Sequence, residues 1–471
     1  MKFRSKLLRV YLLLFMLLGL LACANTLNID KAEALDVQGY WEMVFSGDWK
    51  AVFLIEKAQD GTLAAYTKTT KNDLLYQATK AGKVKLKGSK LELVTNPEHG
   101  VTYKGKYDTD RHGFIGALHY RDGSTHEVEL VRIDTTKITG FFPAEHRNTA
   151  YRYEQPAQLD DGILTATLNE NGLDEDAYLD LIQAVLSREL GEIHSVLIYE
   201  KGKLVAEDYF YDYDHTTLHR THSVTKSVFS LVMGMLMEKQ DKLNIDRTVA
   251  DLLPSGMETP GAGSIRLSDL MSMTAGLPEP NFRLDGEGAW IEKFLDQVPA
   301  DSLIGTFRYE DMYPELLAFL VSENMDETIS SFAEHELFTP IGIDAYVWEK
   351  RAGAQYNVSS GLALTPREML KIGILVLNKG RWNDRQLISE QWIELSTSPK
   401  VKVSEPYSYG YFWWLIDGRS MGLNGFFPVA QGAGGQRIYV IPQKNAVIVV
   451  TGGNFDTNPP LESFLIKVMN L

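Results

Sequence analysis

The sequence predicts an α+β protein in which a small all-β unit precedes a larger domain of helices and strands. Residues 39–133 form short alternating segments separated by turn signals such as Asp60-Gly61 and Asp122-Gly123, and roughly seven or eight strands fit there, enough to close a small barrel. Residues 157–471 carry strands at both ends of a helical middle. This arrangement predicts one α+β domain whose terminal strands join in a single sheet.

The composition bounds the class of protein. Of the 471 residues, 44% are hydrophobic and 23% are charged, which is enough apolar material for about two or three folded domains. The chain has 47 Lys and Arg against 62 Asp and Glu, and a net charge of −15. Because phosphate contacts need clustered basic residues, we expect no nucleic-acid partner.

Residues 1–22 have the pattern of a signal peptide. Basic residues precede a charge-free apolar run, YLLLFMLLGLLA, which ends at Cys23, the only cysteine. The stretch LLAC resembles the lipobox of bacterial lipoproteins. The resemblance implies that Cys23 is lipidated and that residues 23–38 tether an exported protein to the cell envelope, with Ala24 compatible with an outer membrane location facing the periplasm. An ordinary cleaved signal followed by a stray cysteine is the alternative.

The all-β unit rests on four alternating stretches, AVFLIEKAQDGTLAAYTK, KVKLKGSKLELV, VTYKGKY and GFIGALHYRDGSTHEVELVRI. The opening residues Gly39-Tyr40-Trp41 resemble the first motif of lipocalin-like barrels. A barrel of this kind holds a small apolar ligand or docks to a partner, or else it is a packing module with a filled interior. Residues 134–156 show no clear periodicity and are predicted to be a linker.

The stretch HSVTKSVFSLVMGM contains a Ser-x-x-Lys motif formed by Ser223 and Lys226. The residues after Lys226 are apolar nearly all round, which predicts a helix buried in a core. Ser223 then lies in the first helical turn, where unpaired backbone N–H groups and the helix dipole favour a developing oxyanion. Lys226 lies on the same face of the helix. The alternative is that Ser223 only caps the helix and Lys226 extends to solvent.

From about residue 160 onward the sequence resembles the serine hydrolases of the penicillin-binding protein and class C β-lactamase superfamily, in particular the esterase and aminohexanoate-dimer hydrolase branch. The resemblance rests on several ordered stretches, including IHSVLIYEKGKLVAEDYF, LHRTHSVTKSV, IRLSDLMSMTAGL, FRYEDMYPELLAFL and GAGGQRIYVIP. It implies a β-lactamase/transpeptidase-like fold, an antiparallel sheet with a helical subdomain, for residues 157–471. The family's Tyr-x-Asn element matches Tyr309-Glu310-Asp311, and its Lys/His-Thr/Ser-Gly triplet falls at Gly432-Ala433-Gly434.

The resemblance implies two-step acyl transfer on an ester or amide of a small molecule or peptide. Ser223 would attack the carbonyl carbon, and Lys226 and Tyr309 would share the proton transfers. The backbone N–H of Ser223 and one from residues 432–434 would hold the oxyanion. The sequence contains a single cysteine and no His-Glu-x-x-His motif, so neither a metal nor a cofactor is predicted. Nothing in it indicates an oligomeric state.

Asp311 departs from the family pattern, because an Asn is usual there. A neutral Lys226 would need a lowered pKa, and a carboxylate beside it opposes that shift. The hypothesis is that Lys226 stays cationic and that proton abstraction falls mainly to Tyr309.

The second departure is the triplet, because Gly432-Ala433-Gly434 offers no cationic side chain to a substrate carboxylate. We therefore expect poor activity on penicillins and on D-Ala-D-Ala stems, unless Arg437 substitutes. Two alternatives stay open: a D,D-peptidase or β-lactamase type of activity on peptidoglycan-like substrates, and a degenerate site that serves as a binding or sensor module.

The histidines before Ser223 and the aromatic run at residues 407–414 each have a structural interpretation. His219 and His222 shortly precede Ser223, but a histidine one residue from Ser223 at a helix start points elsewhere, so both are expected to be structural. Residues 407–414 alternate as a single strand would, and their aromatic rings either line the acyl pocket or pack in the core.

Overall fold

The computed structural model describes residues 35–46, 49–57, 61–71, 74–80, 83–96, 100–133, 151–211, 213–257, 260–276, 290, 293–294, 304–350, 356–455 and 458–470. The predicted signal peptide, Cys23, most of the tether and residues 134–150 of the predicted linker lie outside these ranges. Contacts between Cα atoms divide the chain into two compact units. The first contains residues 1–149 with the short segments 210–213 and 453–459, and the second contains the remaining residues.

The first unit contains an antiparallel sheet of nine strands in the order β4-β3-β2-β1-β9-β8-β7-β6-β5. The strands are β1 Gly39–Ser46, β2 Trp49–Lys57, β3 Leu63–Lys71, β4 Leu74–Lys80, β5 Val84–Lys87, β6 Lys90–Asn96, β7 Val101–Asp108, β8 Gly113–His119 and β9 Thr125–Arg132. The sheet curls into a nearly closed barrel, with β4 and β5 at its two edges. It has more strands than the predicted seven or eight, since β4 is not among the stretches on which that prediction rests.

The interior of this sheet is packed with protein side chains. Trp41, Tyr103 and Phe114 are fully buried there together with smaller aliphatic residues. The polar atoms of the large rings are satisfied locally, because the Tyr103 hydroxyl donates to the Phe114 carbonyl at 2.8 Å and the Trp41 indole donates to the Val37 carbonyl at 2.8 Å. This packing favours the filled-interior interpretation of the barrel.

The second unit is built on another nine-stranded sheet, in the order β10-β12-β11-β23-β22-β21-β20-β19-β18. Its strands are β10 Leu164–Thr165, β11 Ile193–Glu200, β12 Lys203–Tyr209, β18 Val401–Ser404, β19 Tyr407–Tyr409, β20 Trp414–Asp417, β21 Phe426–Gly432, β22 Gln436–Ile441 and β23 Ala446–Gly452. The antiparallel pairing of β11 with β23 joins the two ends of the domain, as the sequence predicts.

Two small sheets complete the strands of this unit. They contain β13 His219–Arg220, β14 Tyr346–Trp348, β15 Leu362–Leu364, β16 Arg381–Trp382 and β17 Arg385–Gln386.

The α-helices of the described residues lie between and after these strands. They are α1 Leu168–Asn171, α2 Glu175–Leu186, α3 Val224–Lys239, α4 Val249–Leu252, α5 Leu267–Met271, α6 Met312–Ser322, α7 Ile329–Ala333, α8 Pro366–Leu377, α9 Glu390–Ser396 and α10 Leu461–Val468. Helix α3 packs on β21 and β22, and 13 of its 16 residues are buried. The prediction of a helix that enters a core after Ser223 is therefore confirmed. No helix in the described ranges has the length and apolar character needed to cross a bilayer.

The aromatic run at residues 407–414 is not the single strand that its alternation predicts. It breaks into β19 and β20, and the turn between them includes Phe412 with φ +62°. Gly410 lies so close to the preceding chain that a Cβ there would be 2.3 Å from the Ser396 carbonyl oxygen. The chain therefore turns where a side chain has no room, and alternation alone could not indicate this close approach.

Candidate active site

A sharp turn between β13 and α3 places Ser223. His222 has φ +49°, an uncommon left-handed conformation that for a residue other than glycine usually marks local strain. The first N–H groups of the helix, those of Val224 and Thr225, bond to the carbonyls of Thr221 and His222. The Ser223 hydroxyl makes no capping bond. The capping alternative is thus disfavoured.

Lys226 is the centre of the polar contacts around Ser223. Its Nζ lies 3.0 Å from Ser223 Oγ, 2.6 Å from Asp311 Oδ1 and 2.9 Å from the Ser359 carbonyl oxygen. The side chain is only 1% exposed, so it does not extend to solvent as the alternative required. An ammonium group has three donors, and the three oxygens are enough to use all of them.

The charge state of Lys226 follows from these neighbours. Burial alone lowers the pKa of the Lys226 ammonium, but the Asp311 carboxylate and Tyr309 outweigh burial, so that this pKa lies above its usual value. Asp311 itself is about half exposed, at 51%. The direction agrees with the expectation that Asp311 keeps Lys226 charged.

Tyr309 lies beside Lys226 and is partly exposed to solvent. The Lys226 Nζ is 5.0 Å from the centroid of the Tyr309 ring, and 36% of Tyr309 is exposed. The ring stacks on Trp414 at a centroid distance of 5.6 Å and meets the edge of Tyr409 at 6.0 Å. Aromatic residues of β19 and β20 therefore fix the Tyr309 ring, a role that neither interpretation of the 407–414 run had assigned to them.

The segment Gly432-Ala433-Gly434 begins at the last residue of β21 and passes close to the turn that carries Ser223. A Cβ on Gly432 would lie 2.1 Å from the Thr221 carbonyl oxygen, so only glycine permits this approach. Ala433 is exposed, and Gly434 has φ +78°. Arg437 donates from Nη1 to the Gly432 carbonyl at 2.8 Å. Its guanidinium therefore lies beside the segment, while the segment itself has no cationic side chain.

Sequence reasoning missed the segment that holds the third acceptor of Lys226. Ser359 is fully buried, and its N–H donates to Glu315 Oε1 at 3.0 Å while its carbonyl accepts from Lys226. The Asn357 side chain shapes the turn, because its Oδ1 accepts from the Ser359 hydroxyl and the Ser360 N–H. A backbone carbonyl leaves no residue-type signal, whereas Glu315, a carboxylate four residues after Asp311 in an apolar helix, is a signal that could have been used.

His219, one of the two histidines near Ser223, has the structural setting that was expected. His219 is buried, and burial together with His194 lowers the pKa of His219 to about 3. Its Nδ1 contacts the Thr217 carbonyl at 3.1 Å. A neutral ring in this position supports the strand next to the turn and takes no part in the contacts of Ser223 with Lys226.

Comparisons with known proteins place the second unit in a family. A family model described as Beta-lactamase matches residues 192–462, a range that includes Ser223, Lys226 and Tyr309. A curated relative, the 6-aminohexanoate-dimer hydrolase of Paenarthrobacter ureafaciens, is 21% identical over 285 residues, which cover 54% of this chain and 70% of that protein.

Two solved structures share the fold of the second unit. A beta-lactamase from Sulfitobacter sp. EE-36 aligns with a TM-score of 0.51 at 17% identity and covers 64% of this chain and 97% of that one. A penicillin-binding protein homologue from Caulobacter crescentus aligns with a TM-score of 0.52 at 13% identity and covers 63% and 97%. At these identities the likeness shows the fold alone.

Proposed function

The chain belongs to the beta-lactamase family, whose members are serine hydrolases, and from this premise we propose that it cleaves an ester or amide through an acyl-enzyme on Ser223. The observation that carries the proposal is the 3.0 Å contact between Lys226 Nζ and Ser223 Oγ at the start of a buried helix. The curated relative is named as a hydrolase of a small dimer, which supports a small molecule or short peptide as the substrate.

In the proposed reaction, Ser223 Oγ forms a bond to the substrate carbonyl carbon as the hydroxyl loses its proton. The tetrahedral intermediate collapses and expels an alcohol or amine, which takes up a proton as it leaves. Water then attacks the acyl-enzyme and releases the acid, so that Ser223 regains its hydroxyl. Each half of the cycle needs a group that accepts a proton and then returns it.

Tyr309 is the proposed proton carrier, and Lys226 is the cation that supports it. A protonated Lys226 with three oxygen neighbours has no lone pair with which to accept the Ser223 proton. Its charge stabilises an alkoxide on Ser223, which lies 3.0 Å from Nζ, and a phenolate on Tyr309, whose ring centroid lies 5.0 Å from Nζ. Asp311 fixes the charge of Lys226 and is therefore a positioning residue.

The oxyanion of the intermediate needs donors that are not already engaged. No acceptor for the Ser223 N–H occurs among the residues that the structure describes, which supports this group as one donor. The second donor is proposed to come from residues 432–434, because Gly432 already packs against the turn that presents Ser223. Both groups lie at the positive end of α3 or beside it.

The proposed substrate carries no carboxylate next to the bond that breaks. Residues 432–434 have no cationic side chain, and Arg437 commits Nη1 to the carbonyls of Gly432 and Gln436. We therefore propose an esterase or amidase rather than an enzyme specific for penicillins or D-Ala-D-Ala stems. Export and anchoring through Cys23 remain part of the proposal, and their support is the LLAC stretch in the sequence.

A fluorophosphonate probe and short-chain p-nitrophenyl esters test this function. Wild-type protein should be labelled and should turn over the esters, and Ser223→Ala should lose both, because the nucleophile is gone. Ser227→Ala is the matched control, since Ser227 lies in the same helix, is buried and donates to the Phe412 carbonyl at 2.7 Å.

Two results would count against the proposal. If wild-type protein shows neither labelling nor turnover, the site is a binding or sensor module. If penicillin is hydrolysed faster than every ester tested, the β-lactamase alternative replaces the esterase or amidase.

A further inference from the structure

The barrel of the first unit carries lysines in register across neighbouring strands. Lys87 of β5 stands directly opposite Lys90 of β6, and Lys90 stands opposite Lys106 of β7. The next row on the same face contains Lys85, Glu92 and Lys104. All five lysines are exposed. We call this surface the lysine face.

The charges on the lysine face are poorly balanced. Lys85 contacts Glu92 at 3.5 Å, whereas Lys87, Lys90, Lys104 and Lys106 have no carboxylate partner within the described ranges. Like charges directly opposite each other on adjacent strands destabilise a sheet. A row of three lysines is therefore a cost in stability that an anionic partner would offset.

Protection of a sheet edge does not explain the whole face. Lysines are often placed on edge strands to prevent pairing with other chains, and β5 is an edge of this sheet. Lys90, Lys104 and Lys106 lie on β6 and β7, which are paired on both sides. Three of the five lysines thus lie on strands that need no such protection.

The lysine face also differs from the charge of the protein as a whole. Residues 39–133 contain 14 Lys and Arg against 12 Asp and Glu, whereas the whole chain has 47 against 62. An anionic surface therefore repels most of the molecule and attracts this face. Lysine is a strongly hydrated point charge without the planar fork of arginine, so the face suits a diffuse layer of phosphates better than a single bound anion.

We propose that the lysine face docks onto an anionic lipid bilayer. The proposed anchor at Cys23 lies 16 residues before Gly39, the first residue of β1, and an extended chain spans at most about 3.6 Å per residue. The barrel would therefore stay within roughly 60 Å of the membrane. Docking would hold the barrel against the headgroups and set the orientation of the barrel on its tether.

Vesicle binding by residues 24–471, which retain every described residue and lack the apolar leader, tests the proposal. Protein should sediment with vesicles that contain phosphatidylglycerol and stay in solution with pure phosphatidylcholine vesicles, and high salt should release it. Each lysine at an anionic surface contributes about fivefold to partitioning. Replacement of Lys87, Lys90 and Lys106 by Gln should thus weaken binding about 100-fold, and replacement by Glu should abolish it.

The matched control has the same net charge as the Glu variant. Lys203, Lys242 and Lys293 are exposed lysines of the second unit, and their replacement by Glu should change vesicle binding by less than about twofold. Circular dichroism and ester hydrolysis should be unchanged in every variant. The proposal is wrong if the control loses binding equally, if wild-type protein ignores phosphatidylglycerol, or if it binds heparin but no vesicles, since the partner would then be a soluble polyanion.

Discussion

At the residue scale, Lys226 connects three parts of the second unit. Its ammonium joins the nucleophile turn at Ser223, the start of α6 at Asp311 and the buried segment at Ser359. Each of the three oxygens comes from a different stretch of chain, so the geometry of the site depends on the fold around it. The charge of Lys226 is the property that the neighbours set most directly.

We predict that Asp311→Asn changes the pH dependence of hydrolysis. The carboxylate raises the pKa of Lys226 against the effect of burial, so its removal should lower that pKa. A cationic Lys226 would then lose its proton at lower pH, and the alkaline limb of the kcat/KM profile should move down by about 1 to 3 pH units. Ester hydrolysis measured across the pH range gives the profile.

Glu310→Gln is the control for this prediction. Glu310 is the neighbouring carboxylate, and burial raises its pKa, but it makes no contact with Lys226 in the described structure. Its profile should match that of wild type. An unchanged alkaline limb in Asp311→Asn would show that Asp311 does not control the charge on Lys226.

The contacts of Lys226 illustrate what the sequence could predict at this scale. The i, i+3 spacing on a helix predicted that Lys226 reaches Ser223, and resemblance to the family brought Tyr309 and Asp311 to the same place. The role of the Ser359 carbonyl as an acceptor for Lys226 could not be predicted, because every residue has a carbonyl. The turn around Asn357 orients this one toward Lys226.

At the element scale, the site depends on how closely β21 approaches the turn before α3. Gly432 ends β21, and the Thr221 carbonyl fills the space where its Cβ would be. Strand and turn come from parts of the chain about 200 residues apart. The sequence shows that residues 432–434 are small. It does not show that the Thr221 carbonyl lies against Gly432, because that contact depends on tertiary packing.

We predict that Gly432→Ala lowers both the kcat of ester hydrolysis and the stability of the fold. The added methyl group must push β21 away from the turn, which moves one proposed oxyanion donor relative to Ser223. Overpacking of this kind costs about 1–3 kcal/mol, and loss of an oxyanion contact costs about 100-fold in kcat. Ester kinetics and Tm, measured on the same preparation, separate the two effects.

Gly263→Ala is the matched substitution, since a Cβ at Gly263 meets no atom within 4 Å. It should leave both kcat and Tm near their wild-type values. If Gly432→Ala keeps full activity, the 432–434 segment takes no part in catalysis.

At the scale of the whole molecule, the two sheets differ in the sequence separation of their strands. All nine strands of the first sheet come from residues 39–132, and its buried core residues come from residues 37–130. Alternation and turn signals are local properties, which is why the sequence predicted a barrel there and came close to its strand count. The lysine face escaped notice because its members alternate with other residues along three strands, and only the register of the sheet brings them side by side.

We predict that residues 35–133 fold without the rest of the chain. The fragment contains every strand of the first sheet and its buried aromatic residues, so it should show a β-sheet spectrum and a cooperative thermal transition. Fluorescence from the buried Trp41 should shift to longer wavelength on unfolding. Phe114→Ala should lower the stability of the fragment by about 3–5 kcal/mol, and a fragment without a cooperative transition would contradict the prediction.

The pairing of β11 with β23 has a consequence for the order of events during synthesis. Strand β11 is made about 250 residues before its partner, so the central sheet of the hydrolase stays incomplete until nearly the whole chain has left the ribosome. Distant pairings of this kind form slowly, whereas the barrel is made first and needs only its own strands. The proposed export would require a chain that is still unfolded, and a strand that pairs late keeps the larger unit in that state while its synthesis continues.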